Sequence, residues 1–346
     1  SRQINVGLDE TIDLGKGKSK AACEERGVGR VYLDFLLKLH DLAQQRGHTM
    51  QFWGDIIMHH PELIASLPGG IIALEWGYEA NHPFAADGKK FADAGVPFYV
   101  CPGTSSWNTI AGRTDNAVGN LRNAAENGQA CGAIGFLNTD WGDNGHWQHL
   151  PIAFLGYAYG AAESWAAAAN QDLPLARALS LHVFKDNAGV MGQLAYDLGN
   201  AYQQPGVLVG NASILFHFLL WPEQSLTEGD RARLSVESLQ RTEEYIDRVM
   251  APLDNAQMER PDAALILEEF RNAAALMRHG CKLTIARLQA GGGAIATLSA
   301  ETRQALAADL AAIISDYRRL WLSRNRPGGL RESVGRLEKL LALYQQ

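Results

Sequence analysis

The sequence predicts an α/β fold: a parallel sheet built from about five βα units over residues 1–168, followed by an all-α helical domain over residues 169–346. Three observations predict it. Short apolar runs alternate with helical stretches as far as about residue 168, those runs are mostly continuous rather than alternating, and the pattern turns wholly helical afterwards. Five units in about 165 residues, against about 250 for a closed eight-unit barrel, fit five-eighths of a TIM-type barrel. An open doubly wound sheet fits the same count. The two differ in where polar and aromatic groups collect, since in a barrel every strand exit converges on one site.

The first strand is read over residues 4–8, ending in the adjacent acids Asp9 and Glu10, and a helix follows over 31–45 with Leu33, Leu36, Leu37, His40 and Leu42 on its apolar face. Residues 48–53 make the second strand and 62–67 a short helical stretch. The third strand covers 70–76 and the fourth, after a Gly-bearing turn, 97–101. Helix is expected over 118–126, the fifth strand over 132–138, and an Ala-rich helix over 151–169. In the second half, residues 239–250, 263–288 and 301–322 carry apolar residues at three and four spacing, and 324–329 form a turn.

Composition narrows the function. The 346 residues are 47% hydrophobic and 20% charged, a globular balance with enough length for two cores. Net charge is −7 with dispersed basic residues, which gives no footprint for a phosphate backbone, so no nucleic-acid partner is expected. No apolar run reaches the roughly 18 residues of a membrane span, so no membrane association is expected either. Cys23, Cys101, Cys131 and Cys281 form no C-x-x-C pair; reduced, buried thiols are the default, with a lean to a cytoplasmic setting, and the compartment stays open. Residue 1 is Ser and a strand begins almost at once, so the chain is expected to be the interior of a longer polypeptide.

The acids and tryptophans carry the chemistry. Paired carboxylates where a strand runs into the Gly-rich turn 13–17 can present acid/base chemistry on a rigid support. Six of the eight tryptophans (Trp53, Trp76, Trp107, Trp141, Trp147 and Trp165) fall in the first half, and four lie at or just beyond a strand exit. Indole faces suit the C–H surface of a sugar ring or an acetamido methyl. Polar partners stand beside them, in Glu75-Trp76-Gly77-Tyr78-Glu79 and in Asn138-Thr139-Asp140-Trp141-Gly142-Asp143-Asn144-Gly145. Two decoys are set aside. Gly17-Lys18-Ser19 lacks the P-loop glycine, Ile12 standing in its place, and reads as a solvated basic turn. His59 and His60 with Asp55 make no metal set, because neighbouring helical residues point about 100° apart. No metal and no cofactor is expected.

The run Asn5-Val-Gly-Leu-Asp9-Glu10, then Phe52-Trp53-Gly54-Asp55, then the stretch from Pro97 through Trp107-Asn108, and lastly Trp141-Gly142-Asp143-Asn144-Gly145, resembles the family 20 glycoside hydrolases, the β-N-acetylhexosaminidases, and most closely a bacterial subgroup with a helical C-terminal domain. The resemblance implies a (β/α)8 barrel whose fourth to eighth strands are those seen here, the first three being missing. It implies carbohydrate hydrolysis of glycans or glycosides bearing terminal N-acetylhexosamine, with retention and without a cofactor. The family departs from the two-carboxylate scheme because its substrate assists itself. Glu10 would be the general acid and then the base on water, while Asp9 would accept a hydrogen bond from the acetamido N–H, whose carbonyl oxygen attacks C1 to form an oxazolinium ion. Glu10 must then hold its proton near neutrality, which a Trp-lined, partly dry pocket beside Asp9 favours. Trp53, Trp76 and Trp141 would wall the acetamido pocket with Trp107 nearby, Asp143 would bind sugar hydroxyls, and Tyr78 would replace the family's tyrosine at the acetamido oxygen. The early-strand residues that hold sugar hydroxyls in the family have no counterpart here, so an alternative is a sugar-binding or structural relative that has lost catalysis. GlcNAc or GalNAc preference and oligomeric state stay open. Five strands do not close a barrel, so exposed edges, a companion segment or pairing with another chain is expected.

Overall fold

Five parallel strands lie in chain order, β1 (Gln3–Asn5), β2 (Thr49–Trp53), β3 (Ile71–Trp76), β4 (Phe98–Cys101) and β5 (Gly135–Phe136), as a curled half-barrel sheet. The computed structural model describes residues 1–224, 226 and 228–346. Helices α1 (Lys20–Arg26) and α2 (Val28–Gln44) connect β1 to β2, the short α3 (Asp55–Met58) follows β2, α4 (Phe84–Asp93) connects β3 to β4, and α5 (Thr114–Ala130) connects β4 to β5. The fold is thus α/β with a partial barrel-like sheet and a large helical part, as the periodicities predict.

Strand parity sorts the side chains onto two faces. Met50, Phe52, Ile71, Ala73, Phe98 and Val100 lie in one apolar cluster with helix residues such as Leu33, Leu36, Phe84 and Phe91. The other face carries a smaller cluster of Ile72, Leu74 and Cys101, against which Trp53, Trp76 and Tyr99 pack. Polar side chains continue that second face: Gln51 Nε2 donates to Gln3 Oε1 at 3.1 Å, and Gln3 Nε2 to the Tyr99 hydroxyl at 3.4 Å.

Several elements depart from expectation. β1 stops at Asn5 rather than residue 8, because Gly7 (φ 77°) and Leu8 (φ 78°) leave the extended region. Pairing to β2 nevertheless persists, with Val6 N–H donating to Gln51 O and Trp53 N–H to Gly7 O, each at 3.0 Å. Where only a turn is expected before β4, the structure has α4, whose buried Phe84 and Phe91 sit one side of Gly88. A Cβ at Gly88 would stand 3.1 Å from the Phe98 ring, so the missing side chain lets the helix approach the sheet. The helix expected over 118–126 is the longer α5, and residues 62–67 form a 3-10 turn, Pro61–Ser66. The Ala-rich helix is α6 (Phe154–Ala166), flanked by single 3-10 turns.

Packing divides the chain into two units. One comprises residues 1–103, 119–139 and 163–167; the other comprises 104–118, 140–162 and 168–346. Beyond residue 168 the helices are α7 (Leu175–Ala178), α8 (Val190–Leu198), α9 (Ile214–Leu220), α10 (Glu228–Arg233), α11 (Val236–Met250), α12 (Ala263–Gln289), α13 (Ala300–Arg324) and α14 (Leu330–Tyr344), and no strand forms there among the described residues. Buried polar chains tie these helices. His279 on α12 meets Asp309 Oδ2 of α13 and the Tyr344 hydroxyl of α14, both at 2.8 Å. Arg324 forks onto both carboxylate oxygens of Glu269, at 2.9 and 2.7 Å, the planar geometry that makes such pairs the strong ones. Among the described residues no helix is long and apolar enough to cross a membrane.

Candidate active site

The end of β1 is a strained turn. Gly7, Leu8 and Glu10 all have positive φ, at 77°, 78° and 47°. For Gly7 this costs little, but Leu8 and Glu10 pay for a left-handed backbone, a strain that concentrates at functional sites. Adjacent residues of a regular strand point to opposite faces, and here the backbone has left the extended region before the two acids. Asp9 and Glu10 are both exposed, and neither carboxylate has a hydrogen-bond partner among the described residues.

Two side chains brace this turn from opposite ends. Tyr32 of α2 donates its hydroxyl to Leu8 O at 3.1 Å. Burial, together with the Asp55 and Asp9 charges, pushes the Tyr32 hydroxyl well above its ordinary range, so it stays a donor. At the other end, Glu10 N–H donates to Asp55 Oδ2 at 2.9 Å, and the second oxygen of Asp55 accepts the Trp76 indole N–H at 3.2 Å. Trp76 stacks on Tyr78, ring centroids 5.2 Å apart and planes 28° from parallel. Trp53, Trp76 and Tyr78 are all partly exposed, on the side of the sheet away from the covering helices or in the loop beyond it.

The loop that presents Tyr78 is firmly held. Asn120 Nδ2 donates to Gly77 O (2.8 Å) and Glu79 O (2.9 Å), and Asn123 Nδ2 to Ala80 O (3.0 Å) and His82 O (2.8 Å). Glu75 belongs to this scaffold and not to the site acids suggested by the run 75–79. It precedes Trp76 by one residue, so it points to the opposite, helix-covered face, where it is buried and its Oε1 lies 2.7 Å from His82 Nε2. Burial raises its proton affinity, and the His82 contact opposes that shift. The bare backbone of Gly77 leaves room for the His82 ring: a Cβ would stand 2.1 Å from His82 Nδ1.

Glu75, His82 and Asp87 bring ligand atoms within 4.8 Å of one another, the one metal-sized grouping among the described residues. Asp87 is already bonded to the Lys90 ammonium at 2.9 Å, and Glu75 to His82.

The remaining expected site residues fall in the other unit. Trp107 is buried, 2% exposed, so its faces serve packing and are closed to a sugar. Trp141 is 36% exposed. Asp143 Oδ2 accepts the Asn108 amide at 3.2 Å, and Asn108 Oδ1 in turn accepts Asn144 Nδ2 at 2.9 Å. Asp140 is consumed by hydroxyls: Thr104 (2.5 Å) and Ser106 donate to one oxygen and Tyr157 (3.1 Å) to the other. Burial and the Asp140 charge push the Tyr157 hydroxyl up to about 12. Strain recurs here, since Ser105, Asn108, Asn144 and His146 have positive φ. Together with Leu8 and Glu10 they make six of the eight such non-glycine residues described, so the strained backbone gathers in the three segments where the sequence places its chemistry.

Both decoys are accounted for. Ser19 Oγ accepts Gly15 N–H at 2.9 Å and donates to Lys16 O at 3.1 Å, which closes the Gly-Lys-Ser turn on itself. His60 packs over Gly29, where a Cβ would come within 2.5 Å of its ring. Residues that the sequence reading did not single out for this site are Asp55, Tyr32, Asn120 and Asn123; only Asp55 carried a signal, two positions beyond Trp53.

No protein-family model matches the chain, and no curated protein matches it. Fold and site alone describe the chain: an α/β protein with a parallel half-barrel sheet, and with the exposed carboxylates of Asp9 and Glu10 and the partly exposed Trp53 and Trp76 at the carboxyl ends of its strands, the end at which ligands of such sheets bind.

Proposed function

We propose that this chain is part of a retaining exo-β-N-acetylhexosaminidase acting on terminal β-linked GlcNAc or GalNAc, and that its five strands are the fourth to eighth of a (β/α)8 barrel. The observation that carries the reading is the turn at Asp9 and Glu10, where strained backbone leaves two adjacent carboxylates uncommitted and ties Glu10, through Asp55, to the Trp76 ring. In this reading Glu10 gives its proton to the glycosidic oxygen as the C1–O bond breaks. Asp9 accepts the acetamido N–H, which makes the amide oxygen more nucleophilic toward C1. The resulting oxazolinium ion is opened by a water that passes its proton to Glu10, so the configuration at C1 is retained. Trp53 and Trp76 offer apolar faces for the acetamido methyl, and the Tyr78 hydroxyl a donor for its oxygen.

The second reading is a non-catalytic sugar-binding relative. The exposure of Glu10 favours it, since a general acid works best in a site from which water is excluded. Release of 4-nitrophenol from the N-acetyl-β-glucosaminide and β-galactosaminide separates the two. It should be measured on this chain and on a form carrying additional upstream sequence. Turnover in either form supports the hydrolase; a folded longer form that binds GlcNAc and hydrolyses neither glycoside supports the binding protein.

A further inference from the structure

Asp55 joins the ends of β1, β2 and β3. It stands two residues beyond β2, yet one carboxylate oxygen accepts the backbone N–H of Glu10 (2.9 Å) and the other the indole N–H of Trp76 (3.2 Å). The first contact fixes a residue in the left-handed region, φ 47°, where the backbone is strained and needs outside support. The second fixes the plane of a ring that can otherwise turn about the two torsions of its side chain. Both partners are N–H donors, so the site needs two acceptors on one rigid group. A carboxylate supplies them. An amide supplies one acceptor and turns an NH2 toward the other donor, and a methyl supplies none.

We infer that Asp55 is the positioning residue of this site: it sets the Glu10 backbone and the Trp76 ring in register with each other. The catalytic meaning of this role rests on the hexosaminidase reading, while the geometry itself does not. Asp55 touches no reacting atom. Its effect passes through the direction of the Glu10 side chain and the wall against which the acetamido group lies, and misplacement of such groups by about 1 Å costs about a hundredfold in rate.

Asp55→Asn is the variant of choice because it keeps shape and volume. Expected is a fall in kcat of about tenfold to a hundredfold on the 4-nitrophenyl N-acetyl-β-glucosaminide, with KM within about threefold and the melting temperature near wild type. In a Trp76→Phe background, which removes one of the two donors, the same substitution should cost a smaller factor, the mark of groups acting as a unit. The ligand-free chain gives an independent readout. In a 15N-labelled sample the Glu10 amide and the Trp76 indole resonances should both move in Asp55→Asn and stay in place in Asp93→Asn, at an exposed position of α4. Unmoved resonances, or an active Asp55→Asn form with wild-type kcat, overturn the role. No turnover in this chain or in the folded longer form removes the hexosaminidase reading and leaves the two resonances to decide whether Asp55 sets this geometry.

Discussion

Asp186 and the pair Asp9 and Glu10 are acids placed where an irregular segment meets regular structure, and the chain treats them in opposite ways. Asp186 is 5% exposed and accepts backbone N–H groups of Ala188 (3.2 Å), Val190 (2.7 Å), Met191 (2.8 Å) and Gln257 (2.6 Å), so it organises the start of α8 and the stretch before α12. Asp9 and Glu10 are exposed, stand in a turn where Leu8 and Glu10 itself have strained backbone, and spend neither carboxylate on the protein. A buried carboxylate stays charged only when its oxygens are filled from within. Such a group is committed to stability. A carboxylate held out by a braced turn is available to something that is not protein, and the backbone strain is the cost of holding it there.

The sharpest way to break this contrast is to remove each acid and see which property fails. Glu10→Gln should lower turnover of glycosides with poor leaving groups by about a hundredfold to ten-thousandfold, the usual worth of a general acid. Its unfolding free energy should change by no more than about 0.5 kcal/mol, as at other exposed positions. Near wild-type turnover on such substrates would remove Glu10 from catalysis. Asp186→Ala should do the reverse, destabilising the helical unit by about 3 kcal/mol, because four N–H groups lose their acceptor at once. Urea unfolding followed by circular dichroism would show it, and an unshifted midpoint would mean that water fills the site at no cost.

A smaller effect sharpens the same point through pH. His149 is buried, its Nε2 is 2.9 Å from Asn272 Oδ1, and burial lowers its pKa to about 4 from the ordinary 6.5. On acidification the unfolded chain therefore takes up this proton first. Stability from keeping His149 neutral is complete above about pH 6.5 and is lost as pH falls toward 4, about 2 kcal/mol of it by about pH 5. His149→Gln, which cannot titrate, should flatten that part of the stability curve; an unchanged slope would assign the loss to carboxylates instead.

Much of the fold can be read along the chain because it is periodic. Met50, Phe52 and the mostly apolar β3 announce buried strands, and the three and four spacing in α12 and α13 announces helices. α4 escaped that reading because its apolar face, Phe84 and Phe91, is interrupted by Gly88 and faced with Lys89 and Lys90. The site was legible as residue types at strand exits, including Asp9, Glu10, Trp53, Trp76 and Tyr78. Its internal wiring was not. Glu75 looks like a site acid beside Trp76, and one step of strand parity sends it into the helical layer to meet His82. Trp107 looks like a pocket wall and is core.

The sequence by itself determined the order of strands and helices, the apolar faces that bury them, and the set of acids and indoles that reach strand ends, since these follow from periods of 2 and 3.6 residues along one chain. Tertiary structure decided which of those acids stay free. Asp55 meets Glu10 across 45 residues and Asp186 meets Gln257 across 71. A donor brought from that distance by packing leaves no local pattern, and it is such donors that settle whether a carboxylate is spent inside the protein or left for a ligand.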